Sequence, residues 1–220
     1  MKTLWTCFPL ILLCLPVAHA QSALDFNVGF GTARDSSNGA GIDSLNSATN
    51  ALGSCIPHST DANCQATSGL GGFFLGFGGD LMFRQHFGVG AEINVQPTHQ
   101  DYGPLQSRQT FIDVNGVYEP VTTKRARLQL QGGIGTAKTS FVFTQTGCVG
   151  TAVCSTSASP VGSATHFQVH FGAGVQIAIT DHIFVRPQFD LHYVPGLTDQ
   201  YGRNAVPEAT VWVGYHFGEK

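Results

Sequence analysis

The chain has 220 residues and carries 11 Lys or Arg against 14 Asp or Glu, which gives a formal net charge of −3 at pH 7. This mild acidity gives no support for a nucleic-acid partner, which would favour a basic surface. Glycine is frequent, with 27 residues, and many glycines fall inside apolar segments where a globular strand would avoid them.

The first twenty residues have the pattern of an export signal. A short basic start is followed by an apolar run over residues 4–17 and by the small-x-small cleavage pattern Ala18–Ala20. Cleavage before Gln21 would leave residues 21–220 as one mature domain. A lipoprotein signal at Cys14 is the alternative, but that signal normally requires a small residue just before the cysteine.

No later segment approaches the roughly 20 continuous apolar residues that a membrane helix requires. The mean hydropathy of +0.06 does not exclude a membrane protein. Strands that are apolar on one face and polar on the other average to near zero.

Eight segments alternate between apolar and polar residues, which is the period of a β-strand. Each is roughly 9–13 residues long, close to the ~9–11 residues of a membrane-spanning strand. In the last segment the apolar face consists of Ala209, Val211, Val213, Tyr215 and Phe217. The segments cover residues 24–33, 69–81, 87–96, 108–118, 126–135, 166–177, 183–193 and 209–217.

The connections alternate between long and short, as in a transmembrane barrel with short periplasmic turns and longer outside loops. The sequence therefore predicts an all-β fold, an eight-stranded antiparallel up-and-down transmembrane β-barrel with long extracellular loops. A helical turn is expected over residues 44–52. The long loops cover residues 34–68, 97–107, 138–164 and 194–206, and the short turns cover 83–86, 119–124 and 179–182.

The export signal, the eight alternating segments and the aromatic-ending last strand resemble the small eight-stranded outer-membrane barrels of the OmpA/OmpX-like β-barrel domain family. The resemblance implies export by the general secretory route to the outer membrane of a Gram-negative-type bacterium, in contact with its lipid and lipopolysaccharide. It also implies that Tyr215 and Phe217 belong to the terminal signal read by the barrel-assembly machinery. Residues 218–220 follow Phe217, which departs from the family pattern.

Seven charged residues face the barrel interior by parity. An eight-stranded barrel has an interior that side chains just fill, and an ionised group there requires a partner. These residues are therefore expected to form a lumen charge network. They are Asp25, Asp80, Glu92, Asp113, Arg127, Arg186 and Asp190.

The expected pairing follows from the height of each residue along its strand. Arg127 lies nearer the periplasmic end, close to the level of Asp25 and Asp80. Inward glycines leave room for water and for a narrow pore, but the inward aromatic residues Phe74, Phe111, Phe184 and Trp212 favour a plug. Arg186 is expected to pair with Glu92, Asp113 or Asp190.

Four cysteines follow the signal, an even number that suggests disulfides in an exported chain. Cys55 and Cys64 lie in one long loop, and Cys148 and Cys154 lie in another. Bridges within each loop are favoured because they need not cross the barrel. A bridge between the two loops is the alternative.

No metal or cofactor site is expected. His166 and His170 have the i, i+4 spacing of a helical metal pair, but on a strand they would lie about 13 Å apart at ~3.3 Å per residue. They therefore cannot chelate one ion, and a packed lumen histidine is the favoured interpretation.

Catalytic motifs such as G-x-S-x-G and H-E-x-x-H are absent from the sequence. His58, Ser59 and His99 lie in polar loops as isolated residues. The expected function is a non-enzymatic, monomeric barrel with a filled lumen and a structural or surface-interaction role, which contacts an extracellular partner through loops 34–68 and 138–164. The alternatives are a narrow small-solute channel, a soluble lipocalin-like ligand-binding barrel and an outer-membrane lipid-modifying enzyme.

Overall fold

The structure is a computed structural model that describes residues 23–43, 54–55, 63–149 and 153–218. The predicted export signal and the predicted helical turn over residues 44–52 lie outside these ranges. The described residues contain no helix with the length and apolar character needed to span a membrane. They form twelve strands: β1 (Ala23–Ala33), β2 (Gly41–Asp43), β3 (Ser54–Cys55), β4 (Cys64–Ala66), β5 (Phe74–Met82), β6 (Phe87–Val95), β7 (Gln100–Tyr102), β8 (Leu105–Thr122), β9 (Ala126–Val149), β10 (Val153–Ala178), β11 (Ile183–Tyr193) and β12 (Ala205–Phe217).

Eight of these strands close into a ring in the order β1-β5-β6-β8-β9-β10-β11-β12. Each neighbouring pair is antiparallel, and the ring closes where Leu24 of β1 stands opposite Phe217 of β12. Closure leaves no unpaired edge within the ring. A strand surrounded by lipid requires this, because lipid cannot form hydrogen bonds with an unpaired backbone. The predicted eight-stranded antiparallel barrel is confirmed.

The barrel is apolar outside and polar inside, the reverse of a soluble domain. Large apolar side chains are exposed on all eight ring strands, such as Val114 at 63% and Phe171 at 59%. The inward positions between them hold buried Asp, Glu, Asn, Gln and His. A soluble lipocalin-like barrel needs apolar residues inside, so this arrangement argues against that alternative.

Aromatic rings gather at the end of the barrel where the short turns lie. Phe87 stacks on Tyr118 with ring centroids 4.9 Å apart, and Tyr215 lies 4.6 Å from Phe217. His182 stacks on Tyr215 at 5.5 Å. Girdles of this kind flank the apolar band of a membrane barrel.

The predicted loop over residues 138–164 is wrong, because most of it is β-structure. β9 and β10 continue past the barrel as one hairpin, paired from Ala126 opposite Ile177 to Val149 opposite Val153. A register shift lies between Pro160 and Gly162. Threonine, valine and phenylalanine in residues 139–146 favour strands, whereas the Ser, Thr and Gly content of the region is typical of a loop.

The other long connections are also partly structured. Within residues 34–68, β2 lies between β3 and β4 in a small sheet, and a disulfide joins Cys55 to Cys64 with 6.1 Å between their Cα atoms. In the hairpin, Cys148 stands opposite Cys154, and Cys154 is disulfide-bonded. Within residues 97–107, β7 pairs with the start of β8.

The substitution Val114→Arg tests the membrane belt. Val114 lies on β8 midway between Tyr118 of the turn end and Thr110, so the charge would sit near the bilayer midplane. We expect a loss of ~2–4 kcal/mol in the free energy of unfolding measured in lipid vesicles. Val161→Arg is the matched control, because Val161 is 50% exposed on the protruding hairpin; an equal loss in both variants would contradict the belt.

Candidate functional site in the barrel lumen

Arg186 is the central charge of the lumen. It is fully buried on β11 and donates from Nη1 to Asp80 Oδ2 at 2.7 Å and from Nη2 to Glu92 Oε1 at 2.9 Å. Its Nη1 also donates to Gln129 Oε1 at 2.7 Å. The guanidinium therefore links β11 across the lumen to β5, β6 and β9.

The predicted pairing of Arg186 with Glu92 is correct, but its second carboxylate is not among those predicted. Arg186 binds Asp80, which we expected near Arg127, rather than Asp113 or Asp190. Arg127 instead approaches Glu119 at 3.8 Å near the short turns. The strands of a barrel tilt and their register is staggered, so residue counting along separate strands does not give a common height.

Two stacked histidines form a second centre. His170 and His192 have ring centroids 4.8 Å apart. His170 Nε2 lies 2.9 Å from Asp190 Oδ1, and His192 Nε2 lies 2.7 Å from Glu208 Oε2. Asp113 Oδ2 faces the other nitrogen of His192 at 3.8 Å.

A third centre joins the first and last ring strands. His216 Nδ1 on β12 contacts Asp25 Oδ1 on β1 at the short-turn end. Both side chains are buried. This contact closes the lumen side of the seam where the two ends of the ring meet.

Side-chain amides solvate the carboxylates that outnumber the cations of the lumen. Asn and Gln donors are neutral, so they stabilise a buried carboxylate without adding another charge to be paired. The pairs among the described residues are Gln176–Asp25, Gln129–Asp80, Gln131–Glu92, Gln131–Asp190, Gln168–Asp113, Gln188–Glu92, Gln188–Asp190 and Asn94–Glu208.

Potential ligand atoms of Glu92, His170 and Asp190 lie within 4.8 Å of one another. Arg186 and Gln131 already donate to Glu92, and His170 contacts Asp190 directly. A cation would have to displace these contacts beside the positive charge of Arg186, so the geometry favours a hydrogen-bonded network. His166, four residues before His170 on β10, contacts Gln200 Oε1 instead at 3.0 Å.

Trp212 fills the lumen beside Arg186. Its indole is fully buried, and the Cζ of Arg186 lies 5.6 Å from the ring centroid, within cation–π range. The indole covers Gly29 and Gly76, where a Cβ atom would collide with the ring. These inward glycines make room for an aromatic side chain rather than for a pore.

An apolar cap closes the mouth at the long-loop end. Tyr102 and Tyr201 meet edge to face with centroids 5.8 Å apart, and Tyr201 Oη lies 3.3 Å from Ser107 Oγ. Burial raises the pKa of Tyr201 to about 12, as expected where water is excluded. The cluster consists of Ala33, Leu70, Phe74, Tyr102, Phe111, Ala137, Val194, Leu197, Tyr201 and Val206.

Sequence reasoning missed Glu119, Glu208 and the cap. Glu119 falls in the predicted turn 119–124, and Glu208 lies between the predicted loop 194–206 and the last segment, although it continues the inward alternation of Thr210 and Trp212. Alternation places Phe74 and Phe111 of the cap in the lumen, but no local pattern identifies Leu70, Tyr201 and the other members that come from separate connections.

The substitution Arg186→Met tests the lumen network. It would leave Asp80 and Glu92 buried without their cation, so we expect a loss of ~3–5 kcal/mol in the free energy of unfolding by urea in lipid vesicles. The triple variant Arg186→Met, Asp80→Asn, Glu92→Gln should recover most of the lost free energy of unfolding, because it leaves no unpaired buried charge at this centre. The control Arg127→Met should cost less than ~1 kcal/mol, because its ion pair is long and partly exposed. Equal stability of Arg186→Met and the natural chain would exclude the network as a determinant of stability.

Three solved structures illustrate the likeness to small outer-membrane barrels. Ail of Yersinia pestis, in complex with the heparin analogue sucrose octasulfate, is 11% identical, with 90% of this chain and 99% of that chain covered and a TM-score of 0.49. Neisserial surface protein A is 15% identical, with 87% and 97% covered and a TM-score of 0.48. The N-terminal β-barrel domain of Pseudomonas aeruginosa OprF is 12% identical, with 90% and 98% covered and a TM-score of 0.45.

No curated protein matches the chain. The family model described as "Outer membrane protein beta-barrel domain" matches residues 6–217. This match spans every ring strand, and it agrees with the closed ring, the apolar belt and the polar lumen. The chain therefore belongs to the outer membrane protein β-barrel domain family, whose members lie in the outer membrane of Gram-negative-type bacteria.

Proposed function

We propose that the protein is a closed outer-membrane barrel with a structural and surface-interaction role, and that it does not act as a channel. The single observation that carries this proposal is the occupied lumen. Arg186, its two carboxylates and Trp212 fill the middle of the barrel, and an apolar cap covers the extracellular mouth.

The extracellular part offers the surface for interaction. The hairpin of β9 and β10 extends beyond the barrel, and residues 154–163 are exposed along its length. β11 pairs with β10 only from Val169 onward, so the preceding edge of β10 has no strand partner among the described residues. Such an edge can pair with an extended peptide, which supports an extracellular partner that docks on loop regions 34–68 and 138–164.

The Pro160–Gly162 irregularity limits promiscuous pairing along this edge. Proline lacks a backbone donor, and a bulge twists an edge away from a flat neighbour. The ring itself closes within one chain, which supports a monomer. Partner binding would therefore occur through the hairpin and the small disulfide-linked sheet rather than through the barrel wall.

The same proposal includes a non-enzymatic role. His99 is half-buried in its loop, whereas His58 and Ser59 lie outside the described residues. Tyr215 and Phe217 are exposed on the outer face of the last strand near its end, a position that suits recognition by the barrel-assembly machinery during insertion.

Conductance across a planar lipid bilayer tests the closed lumen. Folded insertion is first verified by heat-modifiable migration on a gel. We expect the natural chain to add no stable current above that of the protein-free bilayer. A stable open state whose ion selectivity changes in Arg186→Ala would contradict the proposal and favour the channel.

A further inference from the structure

We propose that the periplasmic mouth of the barrel carries a binding site for the C-terminal carboxylate of a peptide chain. The site lies where the lumen ends, between the turns formed by residues 123–125 and 179–182. It goes beyond the closed-lumen proposal, because a pocket at one end of the barrel can bind a peptide whether or not the lumen conducts.

A small pocket opens at this mouth. Its volume is about 20 Å³, slightly more than the roughly 10–15 Å³ that one water molecule requires, so it admits a single small polar group. Gln176, Phe184 and His216 form its buried inner wall, whereas the two turns form its rim. The group that enters therefore comes from the periplasm and not from the lipid around the barrel.

Cations outnumber acids around the pocket. Lys124, Arg125 and Arg127 line it, and Asp181 is the one acid among the described residues of its lining. The side chains of Lys124 and Arg125 form no hydrogen bond or ion pair within the part of the chain that the structure describes. Arg127 has a 3.8 Å contact with Glu119, which is long for an ion pair. These cations are therefore available to bind an anion.

Gln176 is a second, independent indication of a ligand. It stands opposite Arg127 on the neighbouring strand and is 5% exposed. Its Nε2 donates to Asp25 Oδ2 at 3.3 Å, whereas its Oε1 has no hydrogen-bond partner among the described residues. A buried acceptor without a donor is costly, so this oxygen favours a ligand that brings an N–H group together with its negative charge.

The pocket wall is held in place from behind. Asp25 contacts His216 Nδ1 and also accepts from Gln176, and the backbone N–H of His216 donates to the carbonyl of His182 at 2.7 Å. A ligand would therefore meet side chains that are already oriented, which lowers the entropic cost of binding.

The C-terminus of a peptide combines the two features that the pocket requires. Its carboxylate is planar and matches the forked donors of Arg125 and Arg127, and the N–H of the last residue lies beside it for Gln176 Oε1. The carboxylate of a Glu side chain lacks such a neighbouring N–H. A phosphate has more oxygens than the pocket admits, and Asp181 would repel its second negative charge.

Calorimetric titration of the full folded chain in uncharged detergent micelles tests the site, with the peptide acetyl-Ala-Ala-Ala as the probe. We expect saturable binding that is lost when the same peptide ends in an amide instead of a carboxylate. Arg125→Met with Arg127→Met should lower the affinity roughly tenfold or more, since a hydrogen bond to a charged group contributes at least about that factor. Asp181→Asn, which removes a like charge from the rim and leaves the wall intact, should raise the affinity.

Arg84→Met with Arg108→Met is the matched control, because it makes the same two substitutions at arginines that do not line the pocket. Its affinity for the peptide should equal that of the natural chain. Acetyl-Ala-Glu-Ala amide and inorganic phosphate should each bind more weakly than acetyl-Ala-Ala-Ala. Heat-modifiable migration confirms that each variant is folded.

Three results would overturn the inference. Equal binding of the amidated peptide would exclude recognition of the carboxylate, and unchanged affinity in Arg125→Met with Arg127→Met would exclude the pocket. Equal binding of acetyl-Ala-Glu-Ala amide or inorganic phosphate would show that the mouth takes any small anion rather than a peptide terminus. None of these results changes the conductance expected of the barrel, so the closed-lumen proposal stands or fails separately.

Discussion

A strand surrounded by lipid has no water to satisfy its backbone, and the rest of this structure depends on that constraint. The ring must close, so β1 pairs with β12 from Leu24 opposite Phe217 to Ala33 opposite Glu208. Closure then places alternate side chains in lipid and in a narrow lumen. Each inward charge must find a partner inside that lumen, because water is scarce there.

The lumen meets this demand in two ways. Charged partners neutralise some carboxylates, as Arg186 does for Asp80 and Glu92, and amide donors such as Gln131 and Gln168 stabilise carboxylates without adding charge. Buried ion pairs are weak sources of stability but are costly to break. The network therefore fixes how the strands meet across the lumen, and aromatic side chains occupy the space that the inward glycines leave. The outer wall and the hairpin remain available for lipid and for partners.

Much of the fold follows from alternation alone. A shift of one residue in strand register would turn the whole apolar face of a strand from lipid to the lumen, so the pattern fixes which face is which. For example, β11 begins and ends at Ile183 and Tyr193 as predicted. Prediction fails where the relevant geometry is not local. Barrel stagger places Asp80 rather than Asp113 beside Arg186, and the cap depends on residues such as Tyr102 and Tyr201 from separate connections. The sequence does not predict the long hairpin, because Ser and Thr are typical of loops yet compatible with an exposed strand.

Fluorescence quenching of Trp212 tests the central claim, lipid outside and a filled polar lumen inside, most directly. From Gln21 onward Trp212 is the sole tryptophan of the chain, and its indole is fully buried. In vesicles, neither brominated lipid tails nor aqueous acrylamide should quench it efficiently. The control Trp212→Phe with Val213→Trp places the indole on the outer face, where brominated lipid should quench it. Efficient quenching of Trp212 by brominated lipid would contradict the assignment of faces, and efficient quenching by acrylamide would contradict the filled lumen.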